Sequence, residues 1–157
     1  MSSIVRRFHC PSPPRRWRWS ALCLLWMLPF AVPAQLSDAK IEALVEALRL
    51  SAPPVEADSG LYSDWGIKPD NIARWSRRCL ERDLTPEQFA ADRALARRVL
   101  VCVMGPVLRD QFAAGRNEIV AVQRAAAWWM TGDPDQYREG ATDAYTLRVL
   151  EAYLRFF

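Results

Sequence analysis

The chain has 157 residues, 51% hydrophobic and 25% charged, with four cysteines, one histidine and a formal net charge of +3. The cationic excess sits in residues 1–34, which hold five arginines and no carboxylate; after them sixteen lysines and arginines face eighteen carboxylates, a net charge of −2. The length suits one domain, the charge after residue 34 gives no electrostatic case for nucleic-acid binding, and the early position of His9 leaves the rest without imidazole for zinc or for a Ser-His or Cys-His pair.

Residues 1–34 read as a secretory leader. Arg6, Arg7, Arg15, Arg16 and Arg18 precede the apolar run SALCLLWMLPFAV, which is too short to span a bilayer and is broken by Pro29. Val32 and Ala34 stand at the small-residue positions of a signal-peptidase site, so the exported domain is expected to be residues 35–157. The alternative is a leader that stays uncut as a membrane tether. Leu22 before Cys23 does not suit lipid attachment, and Phe8 after Arg6-Arg7 does not suit a twin-arginine signal.

The remaining chain reads as helices. In LSDAKIEALVEALRL, Ile41, Leu44, Val45 and Leu48 recur at i, i+3, i+4 and i+7, one helical face. Ser37 or Asp38 is expected to cap this helix, and Pro53-Pro54 to stop it. Residues 53–69 form a long connection without a period, the kind that is mobile or functional in a compact domain. Pro69 and Asp70 start a short helix with Ile72, Trp75 and Cys79 on one side, so Trp75 is expected as a core anchor. Trp65 has no such periodic partner.

TPEQF carries a capping box, Thr85 with Gln88, and has Pro86 at the first helical position. A second start is possible at Asp92. The helix then runs to Gly115, nearly all apolar from Val99 to Val107, with a kink or division expected at Gly105-Pro106. Asn117 caps the next helix, whose inner face is read as Ile119, Val122, Ala126 and Trp129, ending at Gly132. DPDQYREGA is a turn-rich loop. Thr142 is expected to cap a last helix with Leu147, Leu150 and Leu154 on one face and Tyr145, Val149 and Tyr153 beside it. The fold class is therefore all-α, a single domain of about five helices.

Cys10 and Cys23 belong to the leader, which leaves Cys79 and Cys102. Two cysteines in an exported domain most simply form one disulfide, worth about 3 kcal/mol for a loop of this size; the alternative is two buried thiols. Trp128 and Trp129 are adjacent on a helix and point about 100° apart, so Trp129 takes the inner face and Trp128 its edge. There an indole can stack on a ligand or simply pack on a neighbouring helix. Of the carboxylates that could do chemistry, Glu42 and Glu46 lie on the first helix, and Glu56, Asp58 and Asp64 in the long connection.

The segment SGLYSDWGIKPDNIARW resembles one in lysozyme-like lytic transglycosylases that reads roughly S-G-A-Y-G-x-[WY]-Q-I-x-P-x-N-[WI]-x-x-W. Ser59, Gly60, Tyr62, Trp65, Ile67, Pro69, Asn71, Ile72 and Trp75 carry the match. LTPEQFAADRALARRVL is similar to the family's following helix, NEIVAVQRAAAWWMTGDPDQY to its helix ending A-A-W-Y-x-G-G-P, and AYTLRVLEAY to its closing helix. The four segments run in the family's order over about residues 40–155.

The resemblance implies cleavage of the β-1,4 bond of peptidoglycan by one glutamate, proton-loaded because apolar surroundings raise its pKa. Glu46 is the matching position, sixteen residues before Tyr62. Tyr62, Trp65, Trp128 and Tyr145 would line the sugar groove, with Trp65 stacking on a saccharide face. Three places depart from the family: Ala47 replaces the Ser after the glutamate, Gly66 replaces the Gln after the aromatic residue, and the glycine richness after the fourth helix is reduced to Gly132, Asp133 and Pro134. The leading expectation is an exported, glycan-active domain. Beside it stands a non-catalytic helical module of the periplasm or lumen that binds glycan or a partner protein. Neither reading assigns a metal or a cofactor, and membrane contact is expected only through an uncut leader.

Overall fold

In the computed structural model, residues 36–56 and 59–157 are described. The leader with its Ala34 cut, His9, Cys10, Cys23 and also Asp58 lie outside the described residues. Among those described, the chain builds six α-helices and a short 3-10 turn: α1 (Asp38–Ser51), α2 (Pro69–Leu80), α3 (Pro86–Ala91), α4 (Arg93–Gly115), α5 (Glu118–Thr131), the 3-10 turn (Pro134–Arg138) and α6 (Gly140–Leu154). This is an all-α fold around one hydrophobic core. No helix among the described residues is long and apolar enough to cross a membrane.

The core follows from helical spacing. Ile41, Leu44, Val45 and Leu48 of α1 are all buried, as their period predicts, and α1 lies against α4 and α6. Each such side chain contributes about 1.5–3 kcal/mol on leaving water. α4 supplies Val99, Leu100, Val103, Met104 and Leu108. Ala121, Ala125 and Ala126 with Val122 form the inner face of α5, small enough for α4 and α6 to come close. Every buried side-chain polar atom among the described residues has a hydrogen-bond partner.

The helix boundaries divide between residues that act as expected and residues that do not. Thr85 Oγ1 accepts from the Gln88 N–H (3.2 Å) while Gln88 Oε1 accepts from the Thr85 N–H (3.0 Å), a complete capping box. Asp92 Oδ1 accepts from the Leu95 N–H (2.9 Å), which separates α3 from α4 and gives six helices where about five were expected. Asn117 Oδ1 accepts from the Val120 N–H (3.1 Å). Ser37 stands at the N-cap of α1 but makes no side-chain cap bond. Thr142 is no cap. α6 begins at Gly140, and Thr142 is buried within its first turn. α4 is not divided at Gly105-Pro106; it continues to Gly115 with Pro106 on its solvent side, where the carbonyl that loses its N–H partner is not sealed in the core.

Two predicted faces are corrected. Ile119 is 50% exposed, because it sits in the first turn of α5 before the alanine-rich face begins. On α6 the stripes are exchanged. Leu147 and Leu154 are 50% and 52% exposed, while Tyr145, Thr146, Val149, Ala152 and Tyr153 are buried. Both stripes have helical spacing, so periodicity alone cannot choose between them. The polar ends choose: Tyr153 Oη donates to Glu118 (2.7 Å), and Thr146 Oγ1 donates to the Tyr137 carbonyl (2.9 Å). With the Tyr153 and Thr146 hydroxyls satisfied, this stripe can go inside.

The sulfurs of Cys79 and Cys102 lie 2.08 Å apart, at disulfide distance, with Cα atoms 6.0 Å apart. The link joins α2 to α4. In urea unfolding, Tyr153→Ala is expected to cost about 3 kcal/mol or more, the range of large aromatic truncations. Leu147→Gln is expected to stay within about 0.5 kcal/mol of the unaltered chain. The reverse order would restore the leucine stripe as the buried one.

Candidate functional site

A cleft of about 760 Å³ opens where the end of α1, the connection before α2, α2 itself, the end of α5 and α6 meet. Its size is that of an ordinary small-ligand site. Each wall has a local cause.

The first wall is the turn at residues 62–67. Tyr62 and Ile67 pair as an antiparallel bridge, each N–H donating to the other's carbonyl (2.9 and 2.8 Å). Ser63 and Gly66 take left-handed backbone, φ 64° and 63°. Trp65 and Ile67 turn inward, and the Trp65 indole N–H donates to the Val45 carbonyl of α1 (2.8 Å). Trp65 is only 3% exposed. It therefore borders the cleft as a buried anchor, and the expected role of a free stacking face is corrected by that burial. Tyr62 is half-buried against the core and does not line the cleft. Gly66 does line it, and its left-handed φ, rather than a missing amide, is what this position asks of its residue.

The second wall is α2. Asn71, Arg74 and Trp75 stand at i, i+3 and i+4, one helical face, and all three line the cleft. Arg74 Nη2 donates to Asn71 Oδ1 (2.7 Å). Trp75 packs on Trp129 with ring centroids 5.8 Å apart and planes 32° apart. The third wall is the end of α5, where Trp128 and Trp129, both half-buried, precede the left-handed Gly132 cap. From α6 come Tyr145 and Arg148, with the Arg148 guanidinium 5.8 Å from the Tyr145 ring centre. Burial raises the Tyr145 phenol well above its usual range, with Arg148 opposing, so its hydroxyl stays protonated.

Of the predicted groove residues, Trp65, Trp128 and Tyr145 are brought together, while Tyr62 is left out. Trp75 and Trp129, read from the sequence as core residues, also line the cleft. Lys68, Arg74 and Arg148 were not singled out by sequence reasoning, and Asn71 only as a position that carries the family resemblance. The Asn71-Arg74-Trp75 spacing was the available signal for α2.

Glu46 does not line the cleft. Arg49, one turn on, donates to its carboxylate through Nε (2.8 Å) and Nη2 (2.5 Å). This hydrogen-bonded pair holds the Glu46 pKa below the ordinary glutamate value. Partial burial opposes the shift, and the charges of Arg49, Arg93 and Arg97 add to it. The expectation of a proton-loaded acid is thus reversed, because a guanidinium stabilises the ionised form. Nearby, Asp64 pairs with Arg93 (2.8 Å) and Glu42 with Arg97 (3.2 Å), so Glu46 belongs to a charged surface band. No carboxylate among the described residues lines the cleft.

A carboxyl-resolved NMR titration is expected to place Glu46 below the usual glutamate range, and Arg49→Gln to move it up. Because its folded pKa is depressed, the Glu46 pair stabilises at pH above the unfolded glutamate value, and that contribution is lost as pH falls through the folded value. A Glu46 that titrates above the usual range in the unaltered chain would contradict the ion pair. Gly66→Gln is expected to cost about 1 kcal/mol in urea unfolding through its left-handed backbone. Steric conflict is not the cause, since a Cβ there would meet Leu61 and Val55 only at 3.7 and 3.8 Å. Compared with protein-family models, curated proteins and solved structures, the chain gives no match.

Proposed function

We propose that residues 35–157 form an exported module that binds peptidoglycan-type glycan in the cleft and does not cut it. The observation that carries the reading is the lining itself: Trp65, Trp75, Trp128, Trp129 and Tyr145 converge on one cleft that no described carboxylate enters. Sugar rings have flat faces of C–H groups, and half-buried indoles such as Trp128 and Trp129 suit them. General acid catalysis needs a protonated group within hydrogen-bond reach of the leaving oxygen. Glu46 is not among the residues that line the cleft, and its hydrogen-bonded pairing with Arg49 lowers its pKa. The resemblance in the order of the four segments supplies the glycan class. Export suits such a ligand, and a disulfide suits an oxidising compartment.

The test is co-sedimentation of the purified chain with peptidoglycan sacculi, alongside assay of soluble muropeptides by mass. Binding without release of anhydro-ended fragments is expected. Trp128→Ala should weaken binding by about tenfold, the order of one lost stacking face, while Glu46→Gln leaves it unchanged. Turnover that Glu46→Gln abolishes would replace this reading with the transglycosylase one. No binding and no turnover by a well-folded chain would favour the partner-protein module.

A further inference from the structure

Three cations from three separate elements border the cleft: Lys68 ahead of α2, Arg74 within it and Arg148 on α6. All three are exposed, and among the described residues none has an ion-pair partner. The contrast is with Arg49, Arg93 and Arg97, each paired to a carboxylate on the charged band outside the cleft. The cleft thus concentrates uncompensated positive charge in a domain whose net charge is negative.

The cations alternate with rings. Lys68 follows Trp65 by three residues, Arg74 precedes Trp75, and Arg148 lies one helical turn beyond Tyr145. Arg74 gives a donor to Asn71, which orients the guanidinium and leaves further N–H groups for a ligand. A ligand that fits has flat apolar faces for the rings and an anionic group for the forks. Arginine suits a carboxylate in particular, because its planar donors match the two oxygens.

We infer that the cleft selects carboxylated glycans over neutral ones, with Arg74 and Arg148 as the residues that read the carboxylate. The inference rests on the glycan-binding reading above and adds the charge of the ligand to it. Arg74 and Arg148 are specificity residues; the rings supply the binding common to both classes of sugar.

Calorimetric titration of the full chain with two tetrasaccharides of equal length tests this. One is neutral chitotetraose. The other alternates N-acetylglucosamine with N-acetylmuramic acid, has no peptide and carries two carboxylates. The carboxylated sugar is expected to bind at least about tenfold more tightly at low salt, with an advantage that shrinks as salt rises. Arg74→Gln and Arg148→Gln together should erase that advantage and keep the affinity for chitotetraose. Retained chitotetraose binding also shows that the double variant is folded. Equal affinity of the unaltered chain for both sugars would overturn the inference and leave glycan binding standing, as would an advantage that survives in the double variant. Binding of neither sugar would overturn the glycan reading, and the inference with it.

Discussion

The cleft depends on one buried contact, the hydrogen bond from the Trp65 indole to the Val45 carbonyl. A long connection between two helices has no intrinsic reason to lie in one place. Here the bridge between Tyr62 and Ile67 folds it into a turn, and two left-handed residues, Ser63 and Gly66, close that turn. Trp65 then inserts its ring beside α1 and satisfies its single donor there. Burial of an indole with its N–H paired is strongly favourable, whereas an unpaired N–H in the same place would cost about 1–3 kcal/mol. The contact sets where the connection runs. It thereby sets where Lys68 and the start of α2 lie, and so the orientation of the Asn71-Arg74-Trp75 face.

Charge is sorted across the surface. On the band formed by α1, the turn and α4, carboxylates and arginines neutralise one another: Glu46 with Arg49, Asp64 with Arg93, Glu42 with Arg97. Exposed pairs of this kind add little to stability. Their effect on chemistry is larger, because pairing with a guanidinium favours the ionised carboxylate, which has no proton to donate. In the cleft the order is reversed, with cations beside rings and no described carboxylate. A domain that cleaved a glycosidic bond would place its acid where its aromatics are. Among the described residues no carboxylate lines the cleft that these rings share.

Much of the fold was legible in the sequence because it is specified locally. The α1 stripe, the Thr85-Gln88 capping box, the Asn117 cap and the Gly132 stop each depend on residues within one or two turns of one another. The pairing of Cys79 with Cys102 followed from counting. What was not legible depends on partners distant in sequence. The tyrosine stripe of α6 goes inside because Tyr153 finds Glu118, 35 residues away. Leucines at the same spacing offer no sign of losing that competition. Glu46 gave no sign of its state either. Arg49 is a neighbour in sequence, but the same side chain could have turned to solvent. Of the residues that line the cleft, Trp65 and Trp128 were named because large aromatics without an obvious core role are few, and Tyr145 through the family resemblance. Arg74 and Arg148 were missed because an exposed arginine is unremarkable until its neighbours are known.

The Cys79–Cys102 pair links α2 to α4. α2 is short and buries little: Ile72, Trp75 and Ser76 are its buried residues. Alone, so small an apolar face would leave the helix loosely docked. Three further contacts hold it. Cys79 is bonded to Cys102 of α4, Ser76 Oγ accepts from the Leu84 N–H (3.1 Å), and Trp75 packs on Trp129. The last of these couples α2 directly to the opposite wall of the cleft. Binding to a pre-positioned wall avoids the ordering cost that a mobile one imposes. The Cys79–Cys102 link therefore bears on the cleft as well as on stability, since it ties down the helix that carries Arg74 and Trp75 along one wall.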